Sequence, residues 1–447
     1  MKKPEEYLSE VTGNDYIDSD LYGKFNVKRG LRNADGTGVL VGLTRIGDVH
    51  GYIIDEGEKV PQEGRLYYRG YDVEDLVRHA AAEQRFGFEE AVYLLLFGRL
   101  PDKKALDDFS ALLGNSRTLP KSFAEDSIMK LPSRDIMNKL ARSVLTLYSY
   151  DEDPENKSPE NVLRQCLELI GRFPTIAAYA YRAKKHYFDH DSLVIHLPES
   201  SNSTAETLLS LIRRDQTYSR LEAEILDLAL VLHAEHGGGN NSTFAVHLVS
   251  SADTDTFSAI TAGIESLKGS KHGGANIKVM GMMEDIKANV KLWESEEEVS
   301  AYLASILRGE AYDGSRLIYG QGHAVYTKSD PRAILLRDKA ALLAEEKGLV
   351  REFNLYRLIE RLSPGVFRKV KGSDKEICAN VDFYSGFVYK LLGIPTELYT
   401  PLFAVSRVAG WCAHRLEEIV AGGRIIRPAY KCVQPRLDYL PLDQRRP

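Results

Sequence analysis

The sequence predicts an all-α protein, with a few short strands confined to its N-terminal part. Three observations carry this expectation. Apolar residues recur at helical spacing through most of the chain, helix-opening Ser, Asp and Pro stand ahead of several of these runs, and strand-like stretches occur only before residue 70. With 447 residues, 43% hydrophobic and 27% charged, the chain is an ordinary globule large enough for two domains, or for one divided by a cleft.

Residues 38–44, 52–54 and 65–68 read as short strands joined by turns. Helical patterns follow over 72–84, 88–97 and 101–113, with Gly114 placed to end the last of these. Ser133 can cap a helix through Tyr150, whose apolar face is Ile136, Leu140, Val144 and Leu147. Ser158-Pro159-Glu160 puts proline in a first turn and opens a helix to about Lys184, kinked at Pro174. A pattern over 203–213 precedes Leu221, Ile225, Leu228 and Leu232, which share one helical face. Further helical patterns cover 256–267, 296–307, 332–347, 350–362 and 384–418, and residues 150–158 and 370–375 read as exposed loops.

Charge and cysteine usage exclude several classes. The 58 basic and 64 acidic side chains give a net charge of −6, so no basic field marks a nucleic-acid partner. Cys166, Cys378, Cys412 and Cys432 show no CxxC spacing, which argues against a disulfide framework or a zinc ribbon and for a reducing compartment. Lys2 and Lys3 are followed by no apolar stretch, and Glu5, Glu6 and Glu10 do not fit a transit peptide. No apolar run approaches the ~18–20 residues of a membrane span. A cytoplasmic protein without membrane contact is therefore expected.

Five segments carry residues suited to chemistry. His233 and His236 lie three apart at a helix end and run into Gly237-Gly238-Gly239. Such a pair can bind a metal, though it lacks HExxH spacing and a third ligand; the plainer reading is one core and one surface histidine. His272, in Lys271-His272-Gly273-Gly274, precedes a helical pattern, whose dipole favours a neutral imidazole able to polarise a carbonyl; the alternative is a turn histidine without a role. Gly320-Gln321-Gly322-His323 brings backbone close to a ligand, and Asp330-Pro331 opens a helix with Arg332 in its first turn. A cation there is electrostatically unfavourable and calls for an anion. Asp382, in Asn380-Val381-Asp382-Phe383-Tyr384, is a carboxylate among apolar residues, read either as a general base with a raised pKa or as a helix N-cap. Arg407, in Phe403-Ala404-Val405-Ser406-Arg407, is embedded in an apolar helix and needs a buried anion from the protein or a substrate.

Taken in order, HAEHGGGN, KHGGAN, GQGHAVYTKSDPRA, NVDFYSG and FAVSR followed by RPAY resemble citrate synthase. Upstream, GRLYYRGY and FEEAVYLLLFG are similar to the family's N-terminal segments, so the likeness runs from about residue 38 to 430. It implies a fold with a large helical domain (1–275 and 386–447) and a smaller mobile one (276–385). It also implies condensation of acetyl-CoA with oxaloacetate. Asp382 would take a proton from the acetyl methyl, His272 would hydrogen-bond the thioester oxygen, and His323 would protonate the oxaloacetate carbonyl. His236, Arg332, Arg407 and Arg427 would hold oxaloacetate, with Arg427 crossing into the neighbouring site of a homodimer. Lys375, Gly320 and Gly322 would lie along CoA. The resemblance implies no metal and no cofactor besides the acyl-CoA substrate. This sequence departs from the family at Gly237 (often acidic), Gln321 (often aromatic) and Ala379 (often proline), and residues 52–63 look like an insertion. The rival readings are a 2-methylcitrate synthase using propionyl-CoA, a non-catalytic CoA-binding protein, and a metal-dependent hydrolase built on His233 and His236.

Overall fold

The computed structural model describes residues 15–445 apart from 34, 57 and 374, so the N-terminal lysines and glutamates read above lie outside the described residues. By its contacts the chain forms one large unit, 42–425, and a second drawn from the terminal segments before 42 and after 425. In the terminal unit, a short helix (Asp20–Lys24) is followed by Phe25, whose ring lies 5.6 Å from the Lys431 ammonium.

In the large unit, β1 (Gly47–Asp55) and β2 (Glu58–Tyr68) pair antiparallel, and β3 (Tyr71–Asp72) adds a short third strand to β2. The register sets Tyr52 opposite Pro61 and Ile53 opposite Val60, so residues 52–63 are the outer half of this hairpin. The strand expected at 38–44 is absent: Gly38 makes only an isolated bridge to Arg32. Leu40 and Leu43 are 85% and 93% exposed, so no burial offsets the entropy of ordering them.

Helices then account for most of the unit. The first five are α1 (Val73–Ala82), α2 (Phe88–Phe97), α3 (Lys103–Asn115), α4 (Ile136–Leu147) and α5 (Pro159–Asp189). Next come α6 (Thr204–Ile212), α7 (Arg220–His233), α8 (Asn241–Ser250), α9 (Thr256–Lys268) and α10 (Ala275–Asn289). The last are α11 (Glu296–Arg308), α12 (Pro331–Glu346), α13 (Val350–Lys371), α14 (Val381–Leu391) and α15 (Tyr399–Ala421). Their starts follow side-chain chemistry: Ser203 and Ser219 build full capping boxes with Glu206 and Glu222, satisfying backbone donors that the helix leaves open.

Several boundaries differ from the sequence expectation for local reasons. The pattern over 384–418 is two helices, because Gly393 takes a left-handed conformation (φ 65°) and Pro395 follows it. Asp135, not Ser133, caps α4, accepting the Asn138 N–H at 2.9 Å. Gly114 lies inside α3 instead of ending it, pressed against the Ser200 carbonyl. α13 runs through Pro364 to Lys371. α8 was not expected, since its Asn, Ser, Thr and His content hides any apolar face.

The core centres on α5 and α15, which pack together, while α15 also meets α2, α7, α8 and α9. Trp411 on α15 is fully buried, worth several kcal/mol against truncation to alanine (~3–5). Cys166 and Cys412 face one another there, and all four cysteines are free thiols. No helix among the described residues is long and apolar enough to cross a membrane.

Candidate active site

The end of α7 and the middle of α15 build one wall. α7 stops at His233, and the backbone turns through Ala234 and Glu235 to His236. The His233 ring stacks on Phe403 (centroids 4.4 Å apart), and its carbonyl accepts the Arg407 Nε–H at 2.6 Å. Arg407 is fully buried over the same Phe403 ring, yet its Nη1 and Nη2 have no hydrogen-bond partner among the described residues. Burial pulls its pKa down to about 10, although Glu235 acts in the opposite sense. The Glu235 carboxylate instead takes the Gly237 N–H and approaches His414 at 3.1 Å. A guanidinium in this position is costly until an anion meets it.

His236 is buried, and its Nε2 has no partner among the described residues. Burial first, then the field of Arg332, drives its pKa well below the ordinary value, so the ring is neutral. Both His233 and His236 are buried, so the pair is not one core and one surface histidine, and among the described residues no third metal-type ligand gathers with them.

His272 stands two residues before Gly274, the N-cap of α10. Its pKa is lowered to about 4, by burial first and by Arg407 second, more than by the helix end that the sequence suggests. Its Nε2 lies 3.1 Å from Ser242 Oγ, which also receives the Trp411 indole N–H at 3.1 Å. Ser242 carried no sequence signal of its own, because it sits in a polar run at the start of α8.

The opposing side is stitched from two distant loops. Gln321 and Ala379 form an antiparallel bridge, Gly322 N–H donates to the Cys378 carbonyl (2.7 Å), and Asn380 N–H donates to the Gly320 carbonyl (2.9 Å). Gly320 has φ 78° and lies so close to Phe383 that an added Cβ would stand 2.8 Å from the phenylalanine Cβ, so this seam requires glycine. The hairpin closes on the same region, because Gly64 lets β2 lie directly on the Ser329 backbone. His323 Nδ1 accepts the backbone N–H groups of Val325 and Tyr326, each at 3.1 Å. That pairing leaves the ring proton on Nε2.

Asp330 caps α12, accepting the Arg332 N–H at 3.0 Å. Its carboxylate also grips the Arg332 guanidinium at 3.0 and 2.8 Å and receives the Val381 N–H at 3.2 Å. The anion demanded by Arg332 is therefore Asp330, which at the same time ties the start of α12 to the start of α14. Asn380, not Asp382, is the N-cap of α14: its side chain accepts the Asp382 N–H at 3.0 Å. Asp382 is thereby free of the capping role, and burial pushes its pKa up to about 6 against the pull of Arg332 and Arg407.

These groups converge. The His236 and His323 rings meet edge to face at 5.2 Å, with Tyr326 stacked on His323 at 4.7 Å. His236 and Asp382 both feel the charges of Arg332 and Arg407, and His272 feels that of Arg407. Six of the residues singled out in the sequence thus share one electrostatic neighbourhood. Lys375 stands apart on an exposed loop, where it lines a cavity of about 250 Å³ with Lys328 and Arg368. Arg427 is exposed and belongs to the terminal unit, in a stretch without helix or strand.

The family described as "Citrate synthase, C-terminal domain" matches residues 34–429. A citrate synthase of Haloferax volcanii is 35% identical over 427 residues, covering 94% of this chain and 99% of that protein. A 2-methylcitrate synthase of Shewanella oneidensis is 32% identical over 373 residues, covering 83% and 90% of the two chains. Among solved structures, the citrate synthase of Thermoplasma acidophilum in ternary complex with carboxymethyl coenzyme A and oxaloacetate aligns with a TM-score of 0.75 at 27% identity, covering 94% of this chain and 99% of that one. Nearly the whole chain takes part in these matches, and it belongs to the citrate synthase family of condensing enzymes.

Proposed function

We propose that this enzyme condenses acetyl-CoA with oxaloacetate and water to give citrate and CoA. The observation that carries the reading is one carboxylate with a pKa near neutrality, set among two buried guanidinium groups and three histidines. In this reading Asp382, ionised at neutral pH, removes a proton from the acetyl methyl group. His272, neutral at that pH, hydrogen-bonds the thioester oxygen as enolate charge develops there. The enol carbon attacks the oxaloacetate carbonyl, and His323 delivers its Nε2 proton to the carbonyl oxygen. Arg407, with two open guanidinium nitrogens, takes an oxaloacetate carboxylate; His236 and Arg332 hold the rest of the molecule. Water then hydrolyses the citryl thioester. Motion of a smaller lobe (276–385) against the remainder would shield the enolate from water until condensation is complete.

Lys375, together with Lys328 and Arg368, would meet the CoA phosphates, and Gly320 and Gly322 would let the backbone approach the acyl chain. Arg427 would enter the site of the partner in a homodimer. A second reading, 2-methylcitrate synthesis from propionyl-CoA, is favoured by relatives of that name at similar identity. The two donors differ by one methylene, worth ~1–3 kcal/mol of discrimination. The test is kcat/KM for acetyl-CoA against propionyl-CoA, read as free thiol release with and without oxaloacetate in excess EDTA. Preference for acetyl-CoA supports citrate synthesis and the reverse supports the methyl homologue; release that ignores oxaloacetate would make the protein a thioesterase and overturn both.

A further inference from the structure

Away from the proposed reaction centre, one cluster of side chains is arranged as ligands. His247 on α8 and His414 on α15 turn ring nitrogens toward each other, Nε2 to Nδ1, at 3.0 Å. Glu417, one turn further along α15, places Oε2 at 3.8 Å from the same His414 Nδ1, and all three ligand atoms lie within 4.8 Å of one another. We infer that His247, His414 and Glu417 form a binding site for a divalent transition metal of the zinc class, beneath the glycine loop that follows His236.

Four features of the cluster support this. First, Glu417 is anchored through Oε1, which accepts the Arg45 N–H at 2.7 Å, while its buried Oε2 has no hydrogen-bond partner among the described residues. Second, Glu418 Oε2 orients His247 from behind, 3.0 Å from its Nδ1, and the Glu235 carboxylate stands 3.1 Å behind His414 Nε2. Carboxylates in that outer position fix ring orientation and raise the basicity of a metal-bound imidazole. Third, two imidazoles and one carboxylate suit zinc, cobalt or nickel, whereas calcium and magnesium prefer all-oxygen sites. Fourth, the Gly238 backbone passes beside the pair without crowding it: even an added Cβ there would make only ordinary contacts, 3.6 Å from His414 Cε1 and 3.8 Å from His247 Nε2. Bonds of ~2.0–2.1 Å place tetrahedral ligand atoms about 3.3 Å apart, so the histidines need only part slightly, while Glu417 must move in toward both rings. A bound ion would tie α8 and α15 together under the loop leaving His236. It takes no part in the reaction proposed above, so either claim can fail without the other.

The test uses the full chain with Cys432→Ser, which removes an exposed thiol that would compete for metal. After EDTA treatment and dialysis, Co²⁺ is titrated and its visible absorption followed, then displaced by Zn²⁺. One equivalent per chain with a four-coordinate spectrum is expected. Glu418→Gln should weaken binding ~10–100-fold by loosening His247, and His247→Leu should abolish the band. Zn²⁺ should raise Tm in the parent and leave the leucine variant unmoved. No stoichiometric uptake, or a spectrum and affinity unchanged in Glu418→Gln, overturns the site even if His247→Leu does not fold.

Discussion

Replacing Asp382 by asparagine should make the enzyme both slower and more stable. The carboxyl pKa stands at about 6, against ~3.9 in an unfolded chain. Two units correspond to roughly 3 kcal/mol, the upper figure for what the ionised side chain costs the folded protein. The sign follows from proton counting. Between the two pKa values the folded state keeps a proton that the unfolded state has released, so this group's contribution to stability falls as pH rises through that window. Asparagine has no such titration. Its stability advantage should therefore widen by roughly 1 kcal/mol between pH 5 and pH 7.5, measured as urea midpoints of both proteins at each pH. Over the same range wild-type kcat/KM for the acyl-CoA should rise about tenfold, steeply below pH 6 and levelling above it, because Asp382 ionises while His272, at about 4, stays neutral. The variant should lose ~10²–10⁴ in rate with little change in oxaloacetate binding. A variant less stable than wild type, or a stability gap that does not change with pH, would refute the account of why this carboxylate titrates high. A near-normal kcat would refute its role as the base.

Three further outcomes follow from the same site. Arg407→Leu should raise the KM for oxaloacetate roughly 10–100-fold, through loss of charge-assisted hydrogen bonds, while Tm holds or rises because a poorly paired buried cation is gone; a fall in Tm of many degrees would show that the guanidinium is already satisfied. Asp330→Asn should cost ~3–5 kcal/mol in urea unfolding, since it strips Arg332 of its buried partner, and an unchanged midpoint would mean that Arg332 finds another anion. In a two-fold dimer with shared sites, refolding an equal mixture of inactive Asp382→Asn and Arg427→Ala chains should restore about a quarter of wild-type activity, from half the dimers being mixed and half their sites intact; no recovery would confine Arg427 to its own chain.

How far the sequence could be read depended on whether a feature is local. Helix positions were legible because spacing and caps lie within a few residues of each other, as at Ser219 and Glu222 of α7. The helix break at Gly393 has its signal in Gly393 and Pro395, but the apolar content on both sides masks it. The strand at 38–44 failed for the opposite reason: a β-rich composition yields a strand only where an edge and a covering layer exist, and neither can be read from residues 38–44 alone.

The site divides along the same line. Residue types and order pointed to His236, His272, His323, Arg332, Asp382 and Arg407, but not to what sets their protonation. Ser242 reaches His272 across thirty positions, and the seam from residues 320–322 to 378–380 spans nearly sixty. Asp330 is the instructive intermediate. Its place two residues before Arg332 marks a cap in sequence, and the demand of Arg332 for an anion was also legible. Only the fold shows that one carboxylate answers both demands and reaches Val381 as well, at the mouth of the helix that bears Asp382. The position of the proposed base thus depends on the same buried charge that neutralises a proposed substrate-binding arginine. For that reason a substitution at Asp330 should disturb both substrates, whereas one at Arg407 should disturb oxaloacetate first.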